Sequence, residues 1–449
     1  MALSGLDIYK LLPKTNCREC GFATCLAFAM QLAKKAVSID KCPCVSEEAK
    51  KILEASSLPP IRLVTIGVDE NKLEVGNETV LFRHEEKFYH PTGVGFIIDD
   101  NLTDRQIKQK LSEIQRLKFE RVGQALEVNI VALRQRSEKK RFIEALKLIL
   151  ANTKLALVLM SKDTQTQTEA LELSHDRRPL VYPLDGNNLS NYAELAVKYK
   201  TPLVVSAENL DELSRLTKEL NSKGLYDLIL DPKSKSLTRQ IWDLISIRRL
   251  ALKRSERSLG YPTVVIVESD DPYDEAMFAA TGILKYAGIV LLEGSSNWEV
   301  LSLLTLRQNI YTDPQKPLQI EPKLYNIGRV SKTSPLLVTT NFSLTYYTVL
   351  GEVEASKVPS YILSVDTEGM SVLTAWAAEK FTPEKIVESL NKSGAKDLIS
   401  HDNIIIPGYV AVMSGDLEEK SGRKVIVGPK EAAGIPSFLK NLSIFKIGS

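Results

Sequence analysis

Eight short apolar runs, starting at Val94, Leu126, Leu155, Pro179, Pro202, Asp227, Thr263 and Ile289, alternate with stretches of helical spacing through the middle of this chain. Such alternation predicts parallel strands joined by helical crossovers, and eight repeats predict a (β/α)8 barrel, with an open doubly wound sheet as the competing topology. The segments 104–119, 137–151 and 209–224 carry apolar residues three and four apart, and Gly224 supplies a helix stop.

Charge and composition exclude several classes. The 58 basic and 56 acidic side chains leave a net charge of +2 over 449 residues, with no field to gather nucleic acid or an anionic membrane. The apolar runs fall well short of the ~20 residues a membrane helix needs. The opening MALSGLDIYK resembles neither an export signal nor a transit peptide, so a cytoplasmic location is expected.

All five cysteines lie within the first 44 residues, as Cys17, Cys20, Cys25, Cys42 and Cys44. The spacing C-x2-C-x4-C-x16-C is uneven, as ligands to a four-iron cluster often are, whereas structural zinc usually takes two matched C-x2-C pairs. An iron-sulfur cluster on Cys17, Cys20, Cys25 and Cys42 is therefore the leading reading, zinc the alternative, and Cys44 an inert neighbour. An odd number of clustered thiols without an export signal fits ligation better than disulfides. A helix is expected over 46–57, and the unit closes at Leu58-Pro59-Pro60. A unit this small needs metal bonds to hold its fold. Gly21 is expected to let the backbone pass close to the cluster.

Residues 61–90 alternate apolar and polar like a strand-rich connector. Beyond a turn-rich stretch at 313–322, strands are expected at LLVTT, YILSVD, NIIIP and KVIVG with helices between. This is the pattern of a small doubly wound domain, which binds ligands at the loops after its strands. Those loops are TNFSLTYY, DTEGMSVLT, IPGYVA and GPKEAAGIP. The expected domains are 1–58, 59–320 and 321–449.

Other chemistry is sparse. His84, His90, His175 and His401 are scattered and read as surface or capping residues, and no Walker loop, H-E-x-x-H or dinucleotide fingerprint occurs. Asp99, Asp100, Glu268, Asp270 and Glu293 fall near barrel strand ends and read as caps and loop solvation ahead of general bases. The pair Tyr346-Tyr347 reads as packing.

The segments CREC-GFATC and KCPC, the barrel, and the stretches TTNFSLTYYTVLGEVEASKVPSYILSVDTEGMSVLTAWAAEKF and VGPKEAAGIPSFL together resemble the large subunits of the corrinoid iron-sulfur proteins of the anaerobic acetyl-CoA (Wood-Ljungdahl) pathway. The resemblance implies a 4Fe-4S domain, a TIM barrel and a C-terminal Rossmann-like corrinoid-binding domain. It implies a methyl carrier whose cob(I)amide takes a methyl group from methyltetrahydrofolate through a methyltransferase and delivers it to carbon monoxide dehydrogenase/acetyl-CoA synthase. The cluster would return Co(II) to Co(I). A heterodimer with a small subunit is implied, and no nucleic acid or membrane partner. Cluster ligation carries over to Cys17, Cys20, Cys25 and Cys42. Corrinoid contacts carry over to Thr340 and Tyr346, to Gly369, Met370, Ser371, Val372, Leu373 and Thr374, and to Gly434, Ile435 and Pro436. No D-x-H-x-x-G histidine motif occurs, and His401 lacks its flanking residues, so no protein nitrogen is expected below cobalt. Two rivals stand beside this reading: an iron-sulfur or zinc-stabilised module without corrinoid, and a barrel enzyme acting directly on a pterin.

Overall fold

The computed structural model describes residues 5–33, 36–46, 49–50, 53 and 59–442. The helix expected over 46–57 lies mostly outside them. The chain divides into two compact units, one of residues 1–119 and 126–311, the other of residues 120–125 and 312–449.

In the first unit, helices Gly5–Leu11 and Cys25–Ala33 pack through Ile8, Leu12, Phe28, Ala29 and Ile39, with Cys25 and Cys42 inside the same small core. A hairpin follows, β1 (Val64–Ile66) antiparallel to β2 (Leu73–Val75). The barrel strands are β3 (Gly93–Asp99), β6 (Ile130–Arg134), β7 (Ala156–Met160), β8 (Leu180–Leu184), β9 (Leu203–Ser206), β10 (Leu228–Asp231), β11 (Val264–Ile266) and β12 (Ile289–Leu292). Between the first two in sequence lie β4 (Lys118–Arg121) and β5 (Gln124–Glu127), paired as a separate hairpin whose residues 120–125 count with the second unit.

The eight strands pair in parallel in the order β10-β9-β8-β7-β6-β3-β12-β11. A bridge from Leu230 to Thr263, with the Leu230 amide donating to the Pro262 carbonyl at 2.9 Å, brings the two ends together. The result is a near-closed barrel rather than an open sheet. Its strands are buried on both faces, as parallel strands under crossover helices must be. The run at Leu126–Leu133 proves composite: its first two residues end β5 and only Ile130 onward enters the barrel.

The barrel interior holds Ile97, Ile130, Ala132, Val158, Val204, Ile229 and Leu291, and the connector hairpin adds Val64, Ile66, Leu73 and Val75 to that cluster. A side chain on Gly93, at the start of β3, would meet Leu73 Cδ2 at 2.7 Å. The hairpin therefore plugs the N-terminal end of the barrel and leaves the C-terminal mouth as the place for polar groups.

The second unit is a five-stranded sheet in the order β13-β15-β14-β16-β17, comprising β13 (Leu324–Ile327), β14 (Leu336–Thr340), β15 (Ser360–Val365), β16 (Asn403–Ile406) and β17 (Lys424–Val427). The last four are parallel and β13 joins antiparallel at the edge. Alternation along the strands sends Leu336, Val338, Leu363 and Ile404 to one core and Leu337, Ile362 and Ile405 to another. Helices Pro383–Lys392 and Ser414–Ser421 cover the first face, Ser343–Ser356 and Ile435–Asn441 the second. No helix among the described residues is long and apolar enough to cross a membrane.

Candidate cofactor sites

The cysteine loop is coiled by left-handed backbone at Lys14, Asn16, Arg18 and Gly21, with φ of 59°, 51°, 64° and 84°. Gly21 is required by its φ; an added Cβ would meet nothing within 4 Å, so close approach inside the chain is not the reason. Asn16 tolerates this conformation and uses its Oδ1 to accept the Cys25 amide at 2.8 Å, tying the loop to the start of helix Cys25–Ala33. Thr24 accepts the Ala27 amide at 3.0 Å as that helix begins. On the second ligand segment Ser38 caps a 3-10 turn over Ile39–Lys41, and the Cys42 amide closes it on the Ile39 carbonyl at 3.0 Å.

Cys25 and Cys42 are buried, Cys20 is half-buried, and Cys17 and Cys44 are exposed. The Cys42 thiol is pushed up, first by burial and then by the neighbouring charges of Cys20, Cys17 and Cys25. The Cys17 thiol is held down, first by the Glu19 backbone amide and then by the Thr15 side chain. Cys44 Sγ lies 3.9 Å from Cys17 Sγ and donates to Glu19 Oε2 at 3.4 Å, partners that push its thiol to about 11. Cys17, Glu19 and Cys44 bring their donor atoms within 4.8 Å of one another. Spacing alone gave no sign that Glu19 joins the thiols, or that Cys44 folds back onto Cys17.

At the barrel mouth the carboxylates converge on a residue the sequence did not single out. Arg134, ending β6, bonds Asp99 through Nε at 2.5 Å and Nη2 at 2.9 Å, Glu268 at 2.7 Å and Glu293 at 2.6 Å. Burial alone would raise the Asp99 carboxyl, but Arg134 holds it below the usual range. Asp100 accepts the Arg136 and Ser137 amides at 2.7 and 2.9 Å, while Asp270 is exposed. Beside this cluster lies a cavity of about 420 Å³ reached by Asp231, whose carboxylate accepts from Tyr182 at 3.0 Å, Ser206 at 2.9 Å and the Lys233 amide at 2.9 Å. His90, His175 and His401 bond backbone carbonyls, and His84 stacks on Phe82.

A second cavity of about 420 Å³ opens at the C-terminal ends of β14, β16 and β17, and reaches back along β14 to Leu337 between the sheet and helices Ser343–Ser356 and Ile435–Asn441. Ser371, Val372, Leu373 and Ile435 line it. Thr340 is fully buried, and the Tyr346 ring packs between Tyr325 and Tyr347 at centroid distances of 4.7 and 5.2 Å. Gly369 takes a φ of 75° just before the lining residues, and Met370 packs on the core below them. Thr374 is exposed, with Oγ1 3.0 Å from Ser371 Oγ. Gly434 and Pro436 flank Ile435 at the start of the last helix.

Phe342, Leu344, Tyr409, Lys430 and Glu431 also line the cavity. They sit in loops the sequence marked as ligand-bearing, yet only the three-dimensional edge picks them out. Leu344, Leu373 and Tyr409 are 60%, 46% and 43% exposed, an unusual amount of open apolar surface around one opening. Thr339 in its lining, and Thr340, Ser343 and Ser364 near it but outside the lining, have buried hydroxyls with no hydrogen-bond partner among the described residues. Buried polar atoms are normally satisfied, so an apolar cavity with orphaned hydroxyls beside it suits a large, mostly apolar ligand with some polar atoms.

Comparison with known proteins covers nearly the whole chain. Residues 63–439 match the family model "CO dehydrogenase/acetyl-CoA synthase delta subunit", and residues 12–44, which hold all five cysteines, match "Putative Fe-S cluster". The corrinoid/iron-sulfur protein large subunit of Moorella thermoacetica is 45% identical over 98% of this chain and 99% of its own. The acetyl-CoA decarbonylase/synthase complex subunit gamma of Methanothermobacter thermautotrophicus is 36% identical over 99% and 100%. Among solved structures, dihydropteroate synthase of Thermus thermophilus aligns with 55% of this chain at 14% identity and a TM-score of 0.40, too low to bear on fold or ligand. A match of this identity and extent, spanning the cysteine segment, the barrel and the C-terminal sheet alike, means that the chain belongs to the family of corrinoid/iron-sulfur protein large subunits, the gamma subunits of the acetyl-CoA decarbonylase/synthase system.

Proposed function

We propose that this chain is a methyl carrier of three domains, residues 1–58, 59–320 and 321–449, that holds an iron-sulfur cluster at one end and a corrinoid at the other. When bound, the corrinoid supplies a cobalt that accepts and releases a methyl group, and the cluster supplies the single electron that restores the cobalt's reactive state. The observation that carries the reading is the strand-edge cavity of the second unit, apolar, open, and lined in part by the Thr339 hydroxyl, which has no protein partner among the described residues.

The residues present suit both groups. Cys17, Cys20 and Cys25 from the coiled loop and Cys42 from the second segment offer four thiolates, the ligand number of an iron-sulfur cluster, and we read the cluster as the 4Fe-4S type on their uneven spacing. Cys25 and Cys42, buried against Phe28 and Ile39, shield one side from water. In the second unit Leu337, Val349, Ile405 and Ile435 give the cofactor's apolar portion a place to bury, while Thr339 can bond its polar atoms. Ser371, Val372 and Leu373 border the opening, while Thr340, Tyr346, Gly369, Met370, Thr374, Gly434 and Pro436 lie outside its lining, at the strand end and in the flanking loops and helices. Exposed Leu344, Leu373 and Tyr409 offer a surface for a partner to cover, which fits a small subunit, a methyltetrahydrofolate methyltransferase and the carbon monoxide dehydrogenase/acetyl-CoA synthase as successive partners.

The test is metal and spectral analysis of anaerobically purified protein, co-expressed with its small subunit and supplied with corrinoid. About four irons and one cobalt per chain, with a base-off cob(II)amide resonance signal, are expected. Iron without cobalt would leave an electron-transfer module, and zinc alone would overturn the cluster.

A further inference from the structure

Asn341 follows the last residue of β14, is 1% exposed, and spends its side chain on the loop after β15 and on Gln319. Its Oδ1 accepts the Thr367 amide at 2.9 Å, the Thr367 hydroxyl at 3.0 Å and the Gly369 amide at 3.0 Å. Its Nδ2 donates to Asp366 Oδ1 and to Gln319 Oε1, both at 3.2 Å. The backbone joins in, the Asn341 amide donating to the Val365 carbonyl at 2.9 Å and the Ile320 amide to the Asn341 carbonyl at 3.0 Å.

The loop so held is not a relaxed one. Glu368 and Gly369 are successive left-handed residues, with φ of 57° and 75°, and a side chain on Gly369 would meet Gln319 Cγ at 2.6 Å. Asp366 Oδ1 accepts the Glu368 amide at 3.1 Å, so Asn341 and Asp366 between them hold three consecutive amides, Thr367, Glu368 and Gly369. Two residues after Gly369 begins the run Ser371, Val372 and Leu373, which lines the strand-edge cavity. Asn341 thus grips the turn directly at the Gly369 amide, and through Thr367, whose hydroxyl also donates to the Met370 carbonyl at 3.1 Å, it reaches the residue just before the lining segment starts.

We propose that Asn341 is the positioning residue of the corrinoid site: without touching the cofactor, it fixes the turn that sets how Ser371, Val372 and Leu373 meet it. This rests on the corrinoid reading given above. Both bonding partners are chemically specific. An aspartate at 341 would keep an acceptor for Thr367 and Gly369 but would face the Asp366 carboxylate with a second carboxylate, where the amide donated.

The test compares wild type, Asn341→Asp, and Asn341→Asp with Asp366→Asn, each as the full chain with its small subunit. Hydrogen exchange of the segment 366–374 in corrinoid-free protein reads the turn itself. The single variant is expected to exchange faster there, to release corrinoid about tenfold faster, and to shift the cob(II)amide resonance of the fraction that stays loaded. The double variant restores a donor opposite the carboxylate and is expected to recover all three. A lower melting temperature in the single variant with unchanged exchange at 366–374, release rate and resonance would overturn the positioning role, as would a double variant that recovers none of them. Failure of wild type to load corrinoid would sink the underlying reading instead, and the exchange comparison would still decide whether Asn341 holds the turn.

Discussion

The barrel and the C-terminal sheet present the same topological feature, the open ends of parallel strands, and each has a cavity of about 420 Å³ there. Ligands bind at such ends in both architectures. They differ in how their polar groups are satisfied. At the barrel mouth Arg134 bonds Asp99, Glu268 and Glu293, and Asp231 has three donors. At the sheet edge four hydroxyls lack partners among the described residues and apolar side chains face solvent. A mouth whose charges consume one another is built to be stable; a mouth with unspent hydrogen bonds and open apolar surface is built to receive something.

The largest expected effect tests the third region, the cysteine segment that matches the iron-sulfur family model. Cys42→Ala removes a buried thiol from the core of the segment, and is expected to abolish iron binding and make residues 5–46 sensitive to protease, with the barrel's melting unchanged. Cys44→Ala is expected to keep full iron. Equal iron loss in both variants would make Cys44, close to Cys17, a ligand in its own right.

Arg134→Met probes the satisfied mouth. Removing this cation leaves three carboxylates facing each other, and a loss of about 3 kcal/mol in urea unfolding is expected, tempered by the solvent exposure of Glu268. Corrinoid uptake should be untouched. A drop in uptake without loss of stability would break the contrast between the mouths.

Val349→Trp fills the sheet-edge cavity, and corrinoid affinity is expected to fall about tenfold, while Asp231→Asn in the barrel cavity leaves it unchanged. Equal losses would mean that both cavities serve the same ligand.

Most of the fold was legible because period and burial agree. Fully buried strands such as Ile130–Arg134 and Leu336–Thr340 read as apolar runs, and helices such as Leu210–Ser222 show apolar residues on one face. The edge strand Leu324–Ile327 escaped, since four partly exposed residues leave no apolar run. The iron-sulfur segment was legible from residue type and spacing, because its thiols sit close together along the chain. The sheet-edge site was legible only as loops: Tyr409 and Lys430 lie far apart in sequence from Ser371, and nothing local says that they share a cavity. Arg134 and Asn341 were invisible because each acts through partners distant in sequence, an arginine among separate strand ends and an asparagine on a neighbouring loop.

Two residues at the barrel mouth depart from the rule of satisfied charges: Asp100, whose Oδ1 takes two amides while its buried Oδ2 has no partner among the described residues, and Glu299. Glu299 is fully buried, both of its carboxylate oxygens lack partners among the described residues, and Glu275 lies beside it, so burial first and that second carboxylate next push its pKa to about 7. Glu275 is already committed to the Glu293 and Gly294 amides, at 2.5 and 3.0 Å, and does not share them. The folded protein then holds this proton more tightly than the unfolded chain, whose glutamate titrates near about 4.3. Stability from this group is therefore full below about pH 4.3 and falls as pH rises toward about 7. Glu299→Gln cannot ionise, so relative to wild type it should gain about 2.5 kcal/mol in urea unfolding between about pH 5 and pH 8. A difference between the two proteins that is the same at both pH values would mean that Glu299 is ionised throughout and finds a partner when it is. The contrast between the barrel mouth and the sheet edge would then be sharper than the static structure draws it.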